Sequence, residues 1–157
     1  GDQMAVIDDG RVLQTGKPQE VFSQPINADV ARVVGIETVV HGRIREIRDE
    51  LATVQVGPVS VTAIASPELE SDVFVCIRAE DVTLELAGSN ETSARNHLRG
   101  TVQTVTSLGA LVRVTIDCGF LLTALVTRSA QSELRLAIVS DVRAAFKASS
   151  GHLIPRR

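Results

Sequence analysis

The chain has 157 residues, of which 44% are hydrophobic and 22% charged, with a net charge of −3. That composition buries a core and excludes a wholly disordered chain. No apolar run approaches the ~20 residues of a membrane-spanning helix and the first residues do not read as a signal peptide, so a cytoplasmic protein without direct membrane insertion is expected. Cys76 and Cys118 lie in apolar, strand-like runs without metal-ligand spacing; buried thiols in a reducing compartment, and no metal site, are expected. With four Phe, no Trp and no Tyr, the chain lacks the stacking aromatics that single-stranded nucleic acid requires, and no nucleic-acid partner is expected.

The charge is unevenly spread. Residues 1–36 carry 3 basic and 5 acidic side chains, residues 37–90 carry 4 and 10, and residues 91–157 carry 9 and 4. An arginine-rich C-terminal third attached to an acidic segment suits an anionic ligand.

In chain order, Met4–Ile7 is a short apolar run, Asp8-Asp9-Gly10 is a hairpin turn, and Arg11–Gln14 returns as a second strand. Pro18 opens a short helix, and a second helix from about Ala28 to Val34 stops at Gly35. One hairpin and two short helices cannot bury a core. Residues 1–36 therefore either pack on the remainder of the chain or have partners elsewhere. The run from Met4 to Phe22, with Pro25 and Asp29–Gly35, resembles the end of an ABC-transporter ATPase domain. The resemblance implies a regulatory domain after it. No Gly-x-x-x-x-Gly-Lys-Ser/Thr phosphate loop occurs in the sequence, so this stretch is not expected to be an ATPase, although a parent of that family would use ATP and Mg²⁺.

Residues 37–157 repeat internally. His41-Gly42-Arg43-Ile44 parallels Arg99-Gly100-Thr101-Val102, and Thr53–Val56 with Val59–Ile64 parallels Arg113–Ile116 with Leu121–Val126. Asp72…Arg78 parallels Asp141…Lys147, with equal spacing from the acid to the base. Each half reads as several short strands with β-branched alternation, the pattern of a five-stranded barrel of the oligonucleotide/oligosaccharide-binding type. The expectation is a mainly β protein with two tandem OB-like barrels, at 37–90 and 91–157, behind the hairpin and helix tail at 1–36. The polar stretch Ala87–Thr92 is the linker between the halves.

Two stretches are rich in hydrogen-bond donors: Thr92-Ser93-Ala94-Arg95-Asn96 and Phe146-Lys147-Ala148-Ser149-Ser150. The first half resembles a transport-associated OB (TOBE) barrel of ABC ATPases, chiefly through Val75–Val82. The second half, through Ser93–Asn96, Gly100, Asp117 with Gly119-Phe120, Thr123-Ala124 and Ala145–Ser149, resembles the molybdate-binding (mop-like) barrel. That barrel occurs in storage proteins, a repressor and the ATPases of molybdate/tungstate importers. It implies oxyanion-contacting positions at Ser93, Ala94, Arg95, Asn96, Lys147, Ala148 and Ser149. It also implies an ion held between two subunits, one supplying the Ser93–Asn96 strand and the other the Lys147 strand.

Molybdate and tungstate are fully deprotonated tetrahedral dianions, and a site for them needs donors only. Phosphate, which usually carries a proton, would leave one oxygen facing a donor, a mispairing of about 1–3 kcal/mol. The sequence departs from the family at Ala130, where Ser or Thr is usual, at Arg135, where Gly is usual, and in the glycine-free turn 137–140. The resemblance implies a homodimeric regulatory section of an importer ATPase, attached to membrane permease subunits, that senses the oxyanion and feedback-inhibits transport. The alternative is a structural dimerisation barrel of an importer for sugar, polyamine or iron that binds no ligand. No catalytic residue is expected: His41, His97 and His152 are scattered and no nucleophile–base pair shows. No cofactor is expected beyond the oxyanion ligand.

Overall fold

A computed structural model describes residues 2–86, 96–138 and 140–156. The N-terminal hairpin pairs β1 (Met4–Asp8) with β2 (Arg11–Gly16). Its turn residues Asp9 and Gly10 both have positive φ, 51° and 73°, the pair of conformations whose twist matches two antiparallel strands. Helix α1 (Pro18–Ser23) begins on its proline, and α2 (Ala28–Val33) is capped by Asn27, whose side chain accepts the Val30 N–H at 2.9 Å. Gly35, at φ 91°, turns the chain out of α2. Val6, Val21 and Val30 form a small core of their own, while Ala31 and Ile36 pack against Cys76 and Ile154 of the barrels. The tail thus docks on the barrels, yet Ile7, Val12, Phe22, Ile26 and Val33 stay exposed.

The rest is mainly β, in two curled five-stranded antiparallel sheets that form OB-like barrels. The first half runs β3 (Thr38–Arg48), β4 (Leu51–Val56), β5 (Val59–Ile64), β6 (Asp72–Ile77), a 3₁₀ turn Ala79–Asp81 and β7 (Thr83–Glu85). The second runs β8 (Asn96–Leu108), β9 (Leu111–Asp117), β10 (Leu121–Thr127), helix α3 (Arg128–Leu134), β11 (Asp141–Phe146), a 3₁₀ turn Ala148–Ser150 and β12 (Gly151–Pro155). The repeat read from sequence is therefore a repeat of elements, with α3 inserted in the second copy. Both long strands carry a bulge three residues after the repeated glycine: pairing slips between Ile44 and Glu46 in β3, and between Val102 and Thr104 in β8. A bulge bends its strand and increases its twist, which lets one long strand serve a closed wall. Pairing sets Thr53 against Glu46 and Thr115 against Thr104, so Thr115 is the structural counterpart of Thr53. The sequence repeat, which aligned Thr53 with Arg113, runs two residues out of step in this strand.

The last strand of each half belongs to the other sheet. The orders are β10-β9-β8-β11-β7 and β12-β6-β3-β4-β5, so residues 83–85 close the second barrel and residues 151–155 the first. The division expected at residue 90 is crossed in both directions. In the second barrel an ion pair between Arg143 and Glu85, 3.0 Å apart and largely buried, fixes β7 on β11. In the first, β12 reaches β5, where a Cβ on Gly151 would lie 3.1 Å from the Ala63 Cβ. The exchange merges the interiors: Val54, Val75 and Val82 belong to one continuous core with Val102, Val114 and Phe146.

Candidate functional site

Among the described residues only two polar side chains are buried, Thr38 and Asn96, and they are the first residues of β3 and β8. Each covers an edge strand of the opposite barrel. Thr38 Oγ1 accepts the Thr123 N–H at 3.1 Å on β10. Asn96 Oδ1 accepts the Thr62 N–H at 2.7 Å on β5, and its Nδ2 donates to the Thr62 carbonyl at 2.9 Å and the Phe146 carbonyl at 3.3 Å. Edge strands expose unpaired main-chain groups; here the two halves satisfy each other's.

Of the residues singled out in the sequence, Ser93, Ala94 and Arg95, with the whole linker Ala87–Thr92, lie outside the described residues. Asn96 and Phe146 form the last pair between β8 and β11, so Lys147 leaves its strand beside the point where β8 begins. Lys147 is exposed and has no ion-pair partner among the described residues. Ala148 is buried, leaving only its main chain to offer, and Ser149 is exposed. The structure thus brings Asn96 and the Lys147 turn together at the seam between the barrels. Asn96 also has a structural role there. Both N–H groups of its amide are used inside the chain, so the side chain positions the strand.

The equivalent corner of the first half is of opposite character. Thr38 takes the place of Asn96, and the preceding residue is Glu37, whose Oε1 lies 2.9 Å from Arg113 Nε across the seam. Arg78, the counterpart of Lys147, is three-quarters buried and has Glu80 Oε1 4.0 Å from its Nη1. Burial, with Glu80 beside it, raises the Asp81 carboxyl above its ordinary range against the pull of Arg78. These carboxylates make that corner a poor host for a dianion.

The departures at Ala130, Arg135 and 137–140 lie at the far end of the second barrel. Arg128 donates to the Gly109 carbonyl and, at 2.9 Å, to Ser107 Oγ, which holds α3 over the β8–β9 turn, at the other end of β8 from Asn96. The Ala130 N–H is capped by Thr127 Oγ1 at 3.0 Å. Arg135 ends α3 with φ 51° and ψ 44°, the left-handed conformation that costs a residue with a Cβ about 1 kcal/mol relative to glycine. Arg135→Gly is therefore expected to raise stability by about 0.5–1 kcal/mol in urea unfolding, and an unchanged midpoint would show that its side chain makes up the difference. Ser140 takes over the turn, accepting the Ala137 N–H at 3.1 Å with its hydroxyl.

Cys76 and Cys118 are buried free thiols, and burial pushes Cys76 up to about 12. His152 is the feature that sequence reasoning passed over. One of three scattered histidines in the sequence, it is half-buried on β12 with Nε2 3.0 Å from the Pro25 carbonyl of the α1–α2 loop. Burial lowers its pKa against that hydrogen bond, with Arg78 adding to the fall. Nothing in local sequence links positions 25 and 152; only the strand exchange brings them together.

Residues 92–153 match the family model described as the TOBE domain. The chain is 36% identical over 157 residues to the molybdate/tungstate import ATP-binding protein WtpC of Pyrococcus horikoshii, covering 99% of this chain and 43% of that protein. It is 26% identical over 115 residues to the spermidine/putrescine import ATP-binding protein PotA of Thermobifida fusca, covering 73% of this chain and 30% of that protein. Among solved structures it resembles the cytoplasmic molybdate-binding protein ModG with molybdate bound, at a TM-score of 0.67 and 26% identity, covering 78% of this chain and 98% of ModG. The chain spans less than half the length of the importer proteins it matches. The chain thus carries a TOBE match over residues 92–153, and over nearly its whole length it is similar to a section of molybdate/tungstate import ATP-binding proteins.

Proposed function

We propose that this chain is the oxyanion-sensing section of an importer ATPase and binds molybdate or tungstate. The observation that carries the reading is the pairing of Asn96 with Phe146, which brings the exposed Lys147 out beside the start of β8. The likeness to molybdate/tungstate importer proteins and to ModG supports it. Ser93 offers a hydroxyl, Ala94 a main-chain N–H, Arg95 a forked guanidinium and Lys147 an ammonium. Ala148 N–H and Ser149 Oγ lie on the adjoining turn, and Asn96 holds the strand in place. All are donors, the set that a fully deprotonated dianion requires. A second copy of the chain completes the site, and the bound ion favours one dimer arrangement over another. Linked to an ATP-hydrolysing portion and its permease partners on the cytoplasmic side, that shift gives feedback inhibition. The exposed Ile7, Val12, Phe22, Ile26 and Val33 of the tail offer apolar surface for packing against such a portion.

Calorimetric titration with tungstate, molybdate, sulfate and phosphate tests the reading. Binding of tungstate and molybdate is expected, with Arg95→Ala and Lys147→Ala each weakening it about 10- to 100-fold, the worth of one charged hydrogen bond. A second reading is favoured by the PotA match: a dimerising barrel pair that holds no ion. No heat with any of the four anions would select it.

A further inference from the structure

We infer that β12 is a lever that links the Lys147 turn to the ATPase-like tail, with the His152 imidazole on the Pro25 carbonyl as its joint. The inference rests on the oxyanion reading and adds the route by which occupancy is felt outside the barrels.

Four residues lie between Lys147 and His152 along the chain, and none of them is slack. The Ser150 N–H bonds the Lys147 carbonyl at 3.0 Å and the Gly151 N–H bonds the Ala148 carbonyl, closing the 3₁₀ turn. Gly151 then sits hard against Ala63 of β5, where even a Cβ would lie at 3.1 Å. From there β12 pairs residue by residue with β6, Gly151 with Ile77 through Pro155 with Val73. Alternation divides the strand. Gly151 and Leu153 face the barrel core, while His152 and Ile154 face the tail: Ile154 packs with Ala31 and Ile36, and His152 reaches Pro25.

Pro25 is held from both sides. Gln14 of β2 donates from Nε2 to the Gln24 carbonyl at 3.2 Å and accepts the Ile26 N–H at 2.9 Å, so one carboxamide straddles the proline on the tail side. His152 meets the carbonyl between them. A carbonyl only accepts, so Nε2 carries the proton and Nδ1 is bare in the neutral ring. The groove beside this joint is lined by Ile26, Ile64, Glu68 and Ser149, so the turn that adjoins Lys147 and the loop that carries Pro25 share one wall. A displacement of the Lys147 turn passes along β12 into the tail through the Ile154 packing and through the only hydrogen bond found between β12 and the α1–α2 loop among the described residues.

The Ile26 amide, bonded within the tail, is a natural reporter. Hydrogen exchange is measured on the protein with and without saturating tungstate, in the wild type, His152→Ala and His152→Gln, with calorimetry on each. Tungstate is expected to change exchange at Ile26 and through α2 by roughly tenfold in the wild type. His152→Ala keeps its heat of binding but loses that response, and His152→Gln, whose amide nitrogen can occupy the place of Nε2, retains most of it. An unchanged response in His152→Ala with binding intact overturns the lever and leaves the sensor standing. Absence of any tungstate heat in the wild type overturns the sensor and the lever with it.

Discussion

Asn96→Ala is expected to destabilise the protein by about 3–5 kcal/mol. Two main-chain groups of Thr62 lose their partners at once, each costing about 1–3 kcal/mol when buried and unsatisfied, and the Phe146 carbonyl loses a third bond. Thr62 lies on β5, the last strand of its sheet, so no neighbouring strand takes over. Thr38→Val is the matched comparison. It orphans one donor, the Thr123 N–H, and should cost about 1–3 kcal/mol with little change of shape. Asn96→Asp sharpens the test, because a carboxylate keeps the acceptor toward the Thr62 N–H but turns negative oxygen on two carbonyls. Its pKa in the folded state is raised, so its stability is greatest below the unfolded carboxyl value of about 3.9 and is lost as pH rises through the folded value. Urea unfolding at several pH values measures all three. A cost below about 1 kcal/mol for Asn96→Ala, the net worth of a single hydrogen bond, would mean that the seam does not depend on the Asn96 clamp.

That clamp also marks how far the sequence could be read. The hairpin at Asp9-Gly10, the two short helices and the five-stranded halves were legible because turn residues and alternation are local signals, and local signals decide local structure. The repeat was legible too, down to the acid-to-base spacing from Asp72 and Asp141. The exchange of β7 and β12 was not, since a strand of three or five residues carries no mark of which sheet it will join. The contacts of His152 and Asn96 were hidden for the same reason, since their partners lie 127 and 34 residues away. The sequence could identify the donors near Lys147, and it had no means of showing which of them the fold would use for itself. Arg135 is the reverse case. The family's usual glycine there looked like a loss of motif, and the left-handed turn at the end of α3 explains why glycine is the usual choice.

The repeated glycines Gly42 and Gly100 hold equivalent places three residues before a bulge, and methyl groups added to them should act very differently. A Cβ on Gly100 would lie 2.8 Å from the Asp117 carbonyl oxygen and 3.2 Å from its carbon. The obstacle is the main chain of β9, fixed by pairing with β8 and β10, so the strands must part. Gly100→Ala should cost about 3 kcal/mol or more, at the upper end of overpacking effects. A Cβ on Gly42 would lie 2.6 Å from Val54 Cγ1, closer still, but there the obstacle is a side-chain methyl. Removing it by Val54→Ala makes room, at the cost of the methyls it takes from the core. The double variant Gly42→Ala, Val54→Ala should therefore be more stable than the sum of the single changes by about 1–2 kcal/mol, a coupling typical of residues in contact. Pairing Gly100→Ala with any side-chain truncation on β9 should show no such relief, because main chain cannot be truncated. Strict additivity in the first pair would show that β3 and β4 move apart to admit the methyl, and that the tight approach at Gly42 is not what shapes the barrel.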